Sequence, residues 1–379
     1  STCLLSRSFC VRFIIRITNG WKDFQHFHPA KNAFVVDKLK DAGAIIIGKS
    51  AVTEVIKRDL SEKGITDGQP KNPYDLTRTP GESSGGTGAS VAANMAAAGI
   101  GVDTANSVRS PSSACCLVGL CPTKGLTSIS GVFPWSSTQD VVGPIARTVS
   151  DAAIILDAIK GFDPNDPATA KQCGYEESSY SSYLNPDGLN GKRIGLLTTN
   201  FGSDPDVLTV MNNCIDTLVS HGAETVIVDI PMFFSDSVFD NFDVQKFETL
   251  PLTEQFLKQI DAPIQSTDEL IKSGNLHEGV QPIFENYSKI PDSMENPAYF
   301  KRLNDMEHLR TVMYNVMAGY KLDAICYPHQ RILVEKIGSG FQRARNGILP
   351  SVIGFPALTV PGGFSSPDES APLGVPIGV

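Results

Sequence analysis

From Asn32 onward the chain alternates apolar and polar positions in patterns that name their own elements. In "NAFVVDKLKDAGAIIIGKS", Phe34, Val35, Leu39 and Ala42 recur at helical spacing, Gly43 closes the helix, and the apolar run 44–47 follows. A helix feeding a buried strand is predicted. The alanine-rich "SVAANMAAAGIGV", from Ser90, predicts a second helix packed closely by small side chains. "ARTVSDAAIILDAIKG" predicts a third, with Ser150 and Asp151 as first-turn groups, Ala153, Ile154 and Leu156 as apolar positions, and Gly161 as the stop. "KRIGLLTTN", "DVLTVMNNCIDTLVSHG" and "AETVIVDI" read as strand, helix and strand, the spacing of a parallel pair with a crossover. "LDAICYPHQ" and "GFPALTVPGGF" predict two further buried strands, and residues 232–321 read as polar helical sequence with breaks.

Composition narrows the classes. With 379 residues, 41% of them hydrophobic, the chain can bury a sizeable core in one large or two ordinary domains. The net charge of -9 comes from scattered acids, which argues against nucleic acid as the main partner. Eight cysteines, with Cys115 beside Cys116, lack the spacing of a zinc site or a disulfide framework, so a reducing, cytoplasmic setting is expected. No apolar run reaches the roughly 18 residues of a membrane span. Residues 1–30 stand apart: Arg7, Arg12, Arg16 and Lys22 precede or flank the first acid, Asp23. That pattern fits an organelle import segment, or equally an exposed strand or a disordered leader. His26 and His28 form a lone His-x-His pair, read as a solvated loop rather than a metal site.

The stretch "GESSGGTGAS", residues 81–90, carries the candidate chemistry. A flexible linker would have polar, non-periodic flanks, whereas this stretch runs straight into apolar sequence. A phosphate cradle needs Lys and then Ser or Thr after the last glycine, and Gly88 is followed by Ala89. A dinucleotide fingerprint needs another glycine spacing and a preceding strand. A catalytic reading remains, supported by a second polar turn 24 positions on at Ser107.

Together, "GESSGGTGASVAANMAAAGIGVDTANSVRSPSSACCLVGLCPTKG", the upstream "NAFVVDKLKDAGAIIIGKS" and the downstream "RNGILPSVIGFPALTVPGGF" resemble the amidase signature family. The resemblance implies an α/β fold with a central twisted mixed β-sheet covered by helices, over a domain spanning residues 31–379. It implies hydrolysis of a carbon–nitrogen amide bond in a small-molecule substrate by a Ser, cis-Ser, Lys triad, without cofactor or metal. By that resemblance Ser107 is the nucleophile, Ser83 the bridging serine and Ser84 its helper. The backbone at Thr104, Ala105 and Asn106 takes the oxyanion-hole position.

Three positions depart from the family pattern. The family's lysine lies roughly 40 residues before Lys49, at the end of an apolar strand, and counting back reaches Arg7, which cannot act as a base because it stays protonated. The nearest Lys-Asp pair is Lys22-Asp23. Ala105 and Asn106 stand where two glycines are usual, and Glu82 replaces a common glycine, its carboxylate either disfavouring a nearby oxyanion or pointing to solvent. The chain also reads as shortened at both ends relative to the family. The alternative expectation is therefore a catalytically impaired member, or a fragment, that binds a ligand or partner. Arg109 and Asp103 are expected to brace their loop, and Asp140 to tie a turn.

Overall fold

The computed structural model describes residues 2–6, 21–24, 26–52, 68–175, 178–276, 279–339 and 342–379. The chain opens with β1 (Thr2–Ser6), followed by α1 (Phe34–Asp41) and β2 (Ile45–Ser50). α1 turns Val35, Val36 and Leu39 into the core, as its periodicity requires. β2 corrects the expectation of a buried strand: it lies at the sheet edge, where Ile45 is 63% and Ile47 45% exposed.

The glycine-rich stretch is itself a helix. α2 spans Gly85–Ala92, and the alanines beyond it, expected to be helical, form a turn containing Asn94 at φ 59° that leads into β3 (Ala98–Asp103). Packing overrides propensity here. A β-carbon at Gly86 would meet the backbone of Ala51, and one at Gly88 would lie 2.8 Å from Pro111 Cβ, so only glycine lets this segment coil so close to its neighbours. α3 (Arg109–Ala114), β4 (Val118–Cys121) and β5 (Val141–Ala146) follow. Every residue of β3 and β5 is buried, which places these two strands in the middle of the molecule. α4 (Val149–Ile159) is capped by Thr148, whose hydroxyl accepts from the N–H of Asp151 at 3.0 Å and donates to its carboxylate at 2.7 Å.

β6 (Arg193–Leu197), α5 (Pro205–Ser220) and β7 (Glu224–Val228) form the expected parallel crossover. Asp204 caps α5 by accepting from the N–H groups of Asp206 and Val207. Residues 232–321 fold largely into α6 (Ser235–Phe242), α7 (Gln245–Gln259), α8 (Thr267–Ser273), α9 (Gln281–Tyr287) and α10 (Pro297–Tyr320). β8 (Ala324–Cys326), α11 (Ile348–Ile353), β9 (Ala357–Thr359), β10 (Pro361–Phe364) and β11 (Pro376–Gly378) complete the chain. The late strands were expected to be buried, but β8, β9 and β10 are short and mostly exposed or half-buried, because they lie at sheet edges or in a two-stranded ribbon.

The central sheet is mixed, in the order β2-β1-β3-β5-β4-β9, with β1 parallel to both neighbours and the β3–β5–β4–β9 ladder antiparallel. A separate parallel sheet runs β7-β6-β8. One apolar core joins α1, β3 and β5 to α7 and α9; a second gathers β6, β7, α10 and α11. No described helix is long and apolar enough to cross a membrane.

Candidate active site

The site is built where β3 runs out. After Asp103 the chain turns through Thr104, Ala105 and Asn106 to Ser107, and the Asp103 carboxylate shapes that turn by accepting the N–H groups of Val108 (3.1 Å) and Arg109 (3.4 Å). The Arg109 guanidinium answers it at 2.9 and 3.1 Å, and also donates to the Ala105 carbonyl at 3.0 Å and Ser351 Oγ at 2.8 Å. Burial alone would raise the Asp103 pKa, but Arg109 and the two N–H donors hold it below the ordinary carboxylate range. The bracing expected of these two residues is what the structure has.

A second tie secures Thr104, whose hydroxyl donates to Asp140 Oδ1 at 2.6 Å. Asp140 Oδ2 accepts from the N–H groups of Trp135 and Ser136, so it holds the 135–140 turn and the serine loop together. Burial pushes the Asp140 pKa up to about 6 despite those donors. Lys124, half-buried, donates to the Asp140 carbonyl at 2.7 Å.

The other serine loop arrives just before α2. The Glu82–Ser83 peptide is cis, and the N–H of Ser84 donates to the Ser107 carbonyl at 3.2 Å, which joins the two loops directly. Ser83 and Ser107 line one cavity of about 420 Å³, together with Thr104, Ala105 and Asn106. Among the described residues, the backbone N–H groups of Thr104, Ala105 and Asn106, the three expected at the oxyanion position, meet no acceptor, and neither does that of Ser107. They remain available to a bound oxygen. Ser84 is elsewhere: its side chain is buried against β3, where a β-carbon at Gly101 would collide with its hydroxyl, and it is not among the described residues lining the cavity.

Glu82 does not point to solvent. It is 5% exposed, and its two oxygens accept from the Gln342 N–H and from Arg345 Nη1, each at 3.3 Å. Burial pushes its pKa upward against the pull of Arg345. The 342–347 segment thus holds the loop of Ser83 from one side. From the other it supports Asn106, because a β-carbon at Gly347 would lie 2.5 Å from Asn106 Cβ.

Sequence reasoning missed the rest of the cavity. Its apolar wall comes from Phe133, Trp135, Phe239, Val280, Ile283 and Tyr287, and its one cation among the described residues is Arg345. Phe239, Val280, Ile283 and Tyr287 come from the helical region that carried no recognisable motif. Apolar side chains with no motif around them give no signal of which surface they face. Arg7 and the side chain of Lys22 lie outside the described residues. The neighbouring Asp23 carboxylate accepts from Ser273 and Asn275 at 3.0 and 2.7 Å. Among the described residues, no group of three or more His, Cys, Asp or Glu side chains is placed to hold a metal, and His26 and His28 are exposed.

The Amidase family model matches residues 8–379. The chain belongs to the amidase signature family. Among its relatives, a glutamyl-tRNA(Gln) amidotransferase subunit of Acaryochloris marina (strain MBIC 11017) is 41% identical over 221 residues, 58% of this chain and 45% of the relative. The matched region therefore spans a little under half the length of that curated relative. The peptide amidase of Stenotrophomonas maltophilia superposes with a TM-score of 0.86 at 30% identity, covering 100% of this chain and 77% of its own. An amidase family protein from Bacillus anthracis str. Ames superposes at 0.84 and 24% identity, with 100% and 72% covered, which speaks to the fold alone. The mixed central sheet covered by helices is thus the amidase-signature fold.

Proposed function

We propose that the protein hydrolyses a carbon–nitrogen amide bond through an acyl-enzyme on Ser107. The observation that carries this reading is the meeting of Ser83 and Ser107 in one cavity beside three unengaged backbone N–H groups. Ser107 Oγ attacks the amide carbonyl carbon while its proton passes by way of Ser83 toward a base. The oxyanion is held by the backbone N–H groups of Thr104, Ala105 and Asn106. Collapse breaks the C–N bond, the leaving amine takes a proton, and water then attacks the ester to release the acid and restore Ser107.

The proton acceptor decides how fast this runs. β1 lies parallel to β3 with Leu5 opposite Ile100, so it runs toward the end of the sheet where Thr104 to Ser107 begin. The next residue in sequence after β1 is Arg7, which stays protonated. Arg345, the cation lining the cavity among the described residues, is no better as a base. This observation favours the second reading, a family member whose cavity binds an amide but turns it over slowly.

Labelling with a fluorophosphonate probe tests the first reading. Wild-type chain is expected to label and Ser107→Ala not to label, with Ser83→Ala labelling about 10²- to 10⁴-fold more slowly, the range of a lost proton relay. Equal labelling of wild type and Ser107→Ala would reject Ser107 as nucleophile. Labelling of wild type with no detectable amide turnover would select the second reading.

A further inference from the structure

Three successive carbonyls in the turn that carries Ser107 are each tied back. The Thr104 carbonyl accepts from Gln139 Nε2 at 3.2 Å, the Ala105 carbonyl from Arg109 Nη2 at 3.0 Å, and the Asn106 carbonyl from the Ser110 N–H at 2.7 Å. These peptides are trans, so each N–H points opposite to the carbonyl of the residue before it. Holding the three carbonyls therefore turns the N–H groups of Ala105, Asn106 and Ser107 the other way, and none of them has an acceptor among the described residues. Two of the tethers, Arg109 and Ser110, belong to the first turn of α3 and follow directly in the chain. Gln139 reaches the turn from a segment 35 positions away.

Gln139 is buried and is not among the described residues lining the serine cavity, so it acts only through what it holds. Its Oε1 accepts from the Val244 N–H at 3.0 Å, and its own backbone N–H donates to Ser136 Oγ at 3.1 Å. An amide oxygen only accepts and an amide nitrogen only donates, so Val244 on one side and the Thr104 carbonyl on the other fix which way the group points. The turn that carries Gln139 is fastened to α7 as well, because the hydroxyls of Ser136 and Thr138 both donate to the Glu248 carboxylate. Val244 immediately precedes α7, and the next residue, Gln245, lines the cavity. Building on the amide-hydrolase reading, we propose that Gln139 is a positioning residue that aims the Ala105 N–H at the oxyanion and joins that donor to the α7 wall of the cavity. A donor fixed in advance needs no reorganisation when charge develops. Without Gln139 the Thr104 carbonyl loses its donor, and the peptide gains by rotating that oxygen toward water, which swings the Ala105 N–H out of the site.

Binding of 2-phenylethylboronic acid separates aiming from general support. Ser107 Oγ adds to boron, the hydroxyl proton is released to water, and one hydroxyl of the resulting anionic boronate takes the place of the oxyanion. Gln139→Met keeps the side-chain volume and loses both amide bonds; it is expected to bind the boronic acid about 10²-fold more weakly than wild type, the cost of one lost oxyanion donor. Binding of 3-phenylpropanamide, whose neutral carbonyl leans far less on those donors, would be measured by titration calorimetry on Ser107→Ala with and without Gln139→Met, and should change by no more than about twofold. A merely structural role would weaken both ligands alike, and thermal unfolding measured alongside reports whether the variant folds. A crystal structure of the wild-type adduct, which needs no variant, should show the Ala105 N–H on the boronate and Gln139 still on the Thr104 carbonyl. Equal losses for the two ligands, no loss in a folded Gln139→Met chain, or an adduct with the Ala105 N–H turned away would overturn the proposal. A wild-type chain that does not bind the boronic acid loses the hydrolytic reading instead. Ligand-free crystal structures then decide on Gln139: the Thr104–Ala105 peptide is expected to rotate in Gln139→Met, and an unchanged peptide overturns the proposal.

Discussion

Arg109 Nη2 lies 2.9 Å from Asp103 Oδ1 and 3.0 Å from the Ala105 carbonyl, with both side chains buried. One guanidinium thus clamps the end of β3 and the backbone of the loop that carries Ser107. Breaking the pair leaves a charge without its partner in the core. Arg109→Met is expected to cost about 3–5 kcal/mol of stability, and more than Asp103→Asn, which keeps an oxygen to accept from the turn. Urea unfolding of both variants, read as midpoint shifts at constant slope, checks this. In addition, Asp103→Asn should lower the rate of probe labelling at Ser107.

Gly86 tests whether close approach explains the glycine-rich helix. Alanine is the better helix former by about 1 kcal/mol, so propensity alone predicts that Gly86→Ala stabilises. Its β-carbon would be driven into Ala51, 2.7 Å from the backbone nitrogen. Overpacking of that kind costs about 1–3 kcal/mol, so net destabilisation is expected. A raised melting temperature would show that the contact yields at no cost.

Asp140 gives a pH signature. Its folded pKa, near 6, lies above the unfolded carboxylate value of 3.8, so the folded state holds the proton more tightly. The stability linked to that proton is present below the unfolded value and is lost as pH rises through about 6, by up to about 3 kcal/mol at 1.36 kcal/mol per pH unit. Asp140→Asn removes this slope. Relative to wild type, the variant should gain melting temperature as pH rises from about 4 to 7, even if its absolute stability is lower through the altered turn. A constant difference across that range would contradict the assignment.

The arginine at position 7, where the family resemblance implies the lysine, makes a prediction about rate. Replacing residues 1–8 by a family segment whose strand ends in Lys-Asp should raise amide turnover by about 10²-fold or more, the contribution of a general base. Lys22→Ala should change nothing if Lys22 is not that base. Strong hydrolysis by the unmodified chain that is lost in Lys22→Ala would place the base at Lys22 instead.

Much of this protein was legible from local pattern. The family, the positions of Ser83 and Ser107, the helix at residues 34–41 and the β6–α5–β7 crossover follow from runs of neighbouring residues, because periodicity and motif spacing are properties of contiguous chain. The partnership of Asp103 and Arg109 was visible for the same reason, since they are six positions apart.

What needed the folded chain was whatever depends on distant segments meeting. Glycines 85, 86 and 88 are helical although their propensity argues otherwise, and at 86 and 88 the space left by Ala51 and Pro111 admits no side chain. The apolar run at 44–47 looked like a buried strand, but only the strand order reveals it at an edge with Ile45 exposed. Glu82 lies 263 positions from Arg345, and no local rule could pair them or take Glu82 out of solvent. The wall of Phe133, Phe239 and Tyr287 comes from three separate segments of the chain. Hydrophobic burial is non-directional, so a sequence states how much apolar surface must be covered, and tertiary packing alone chooses which of those side chains is left lining a cavity.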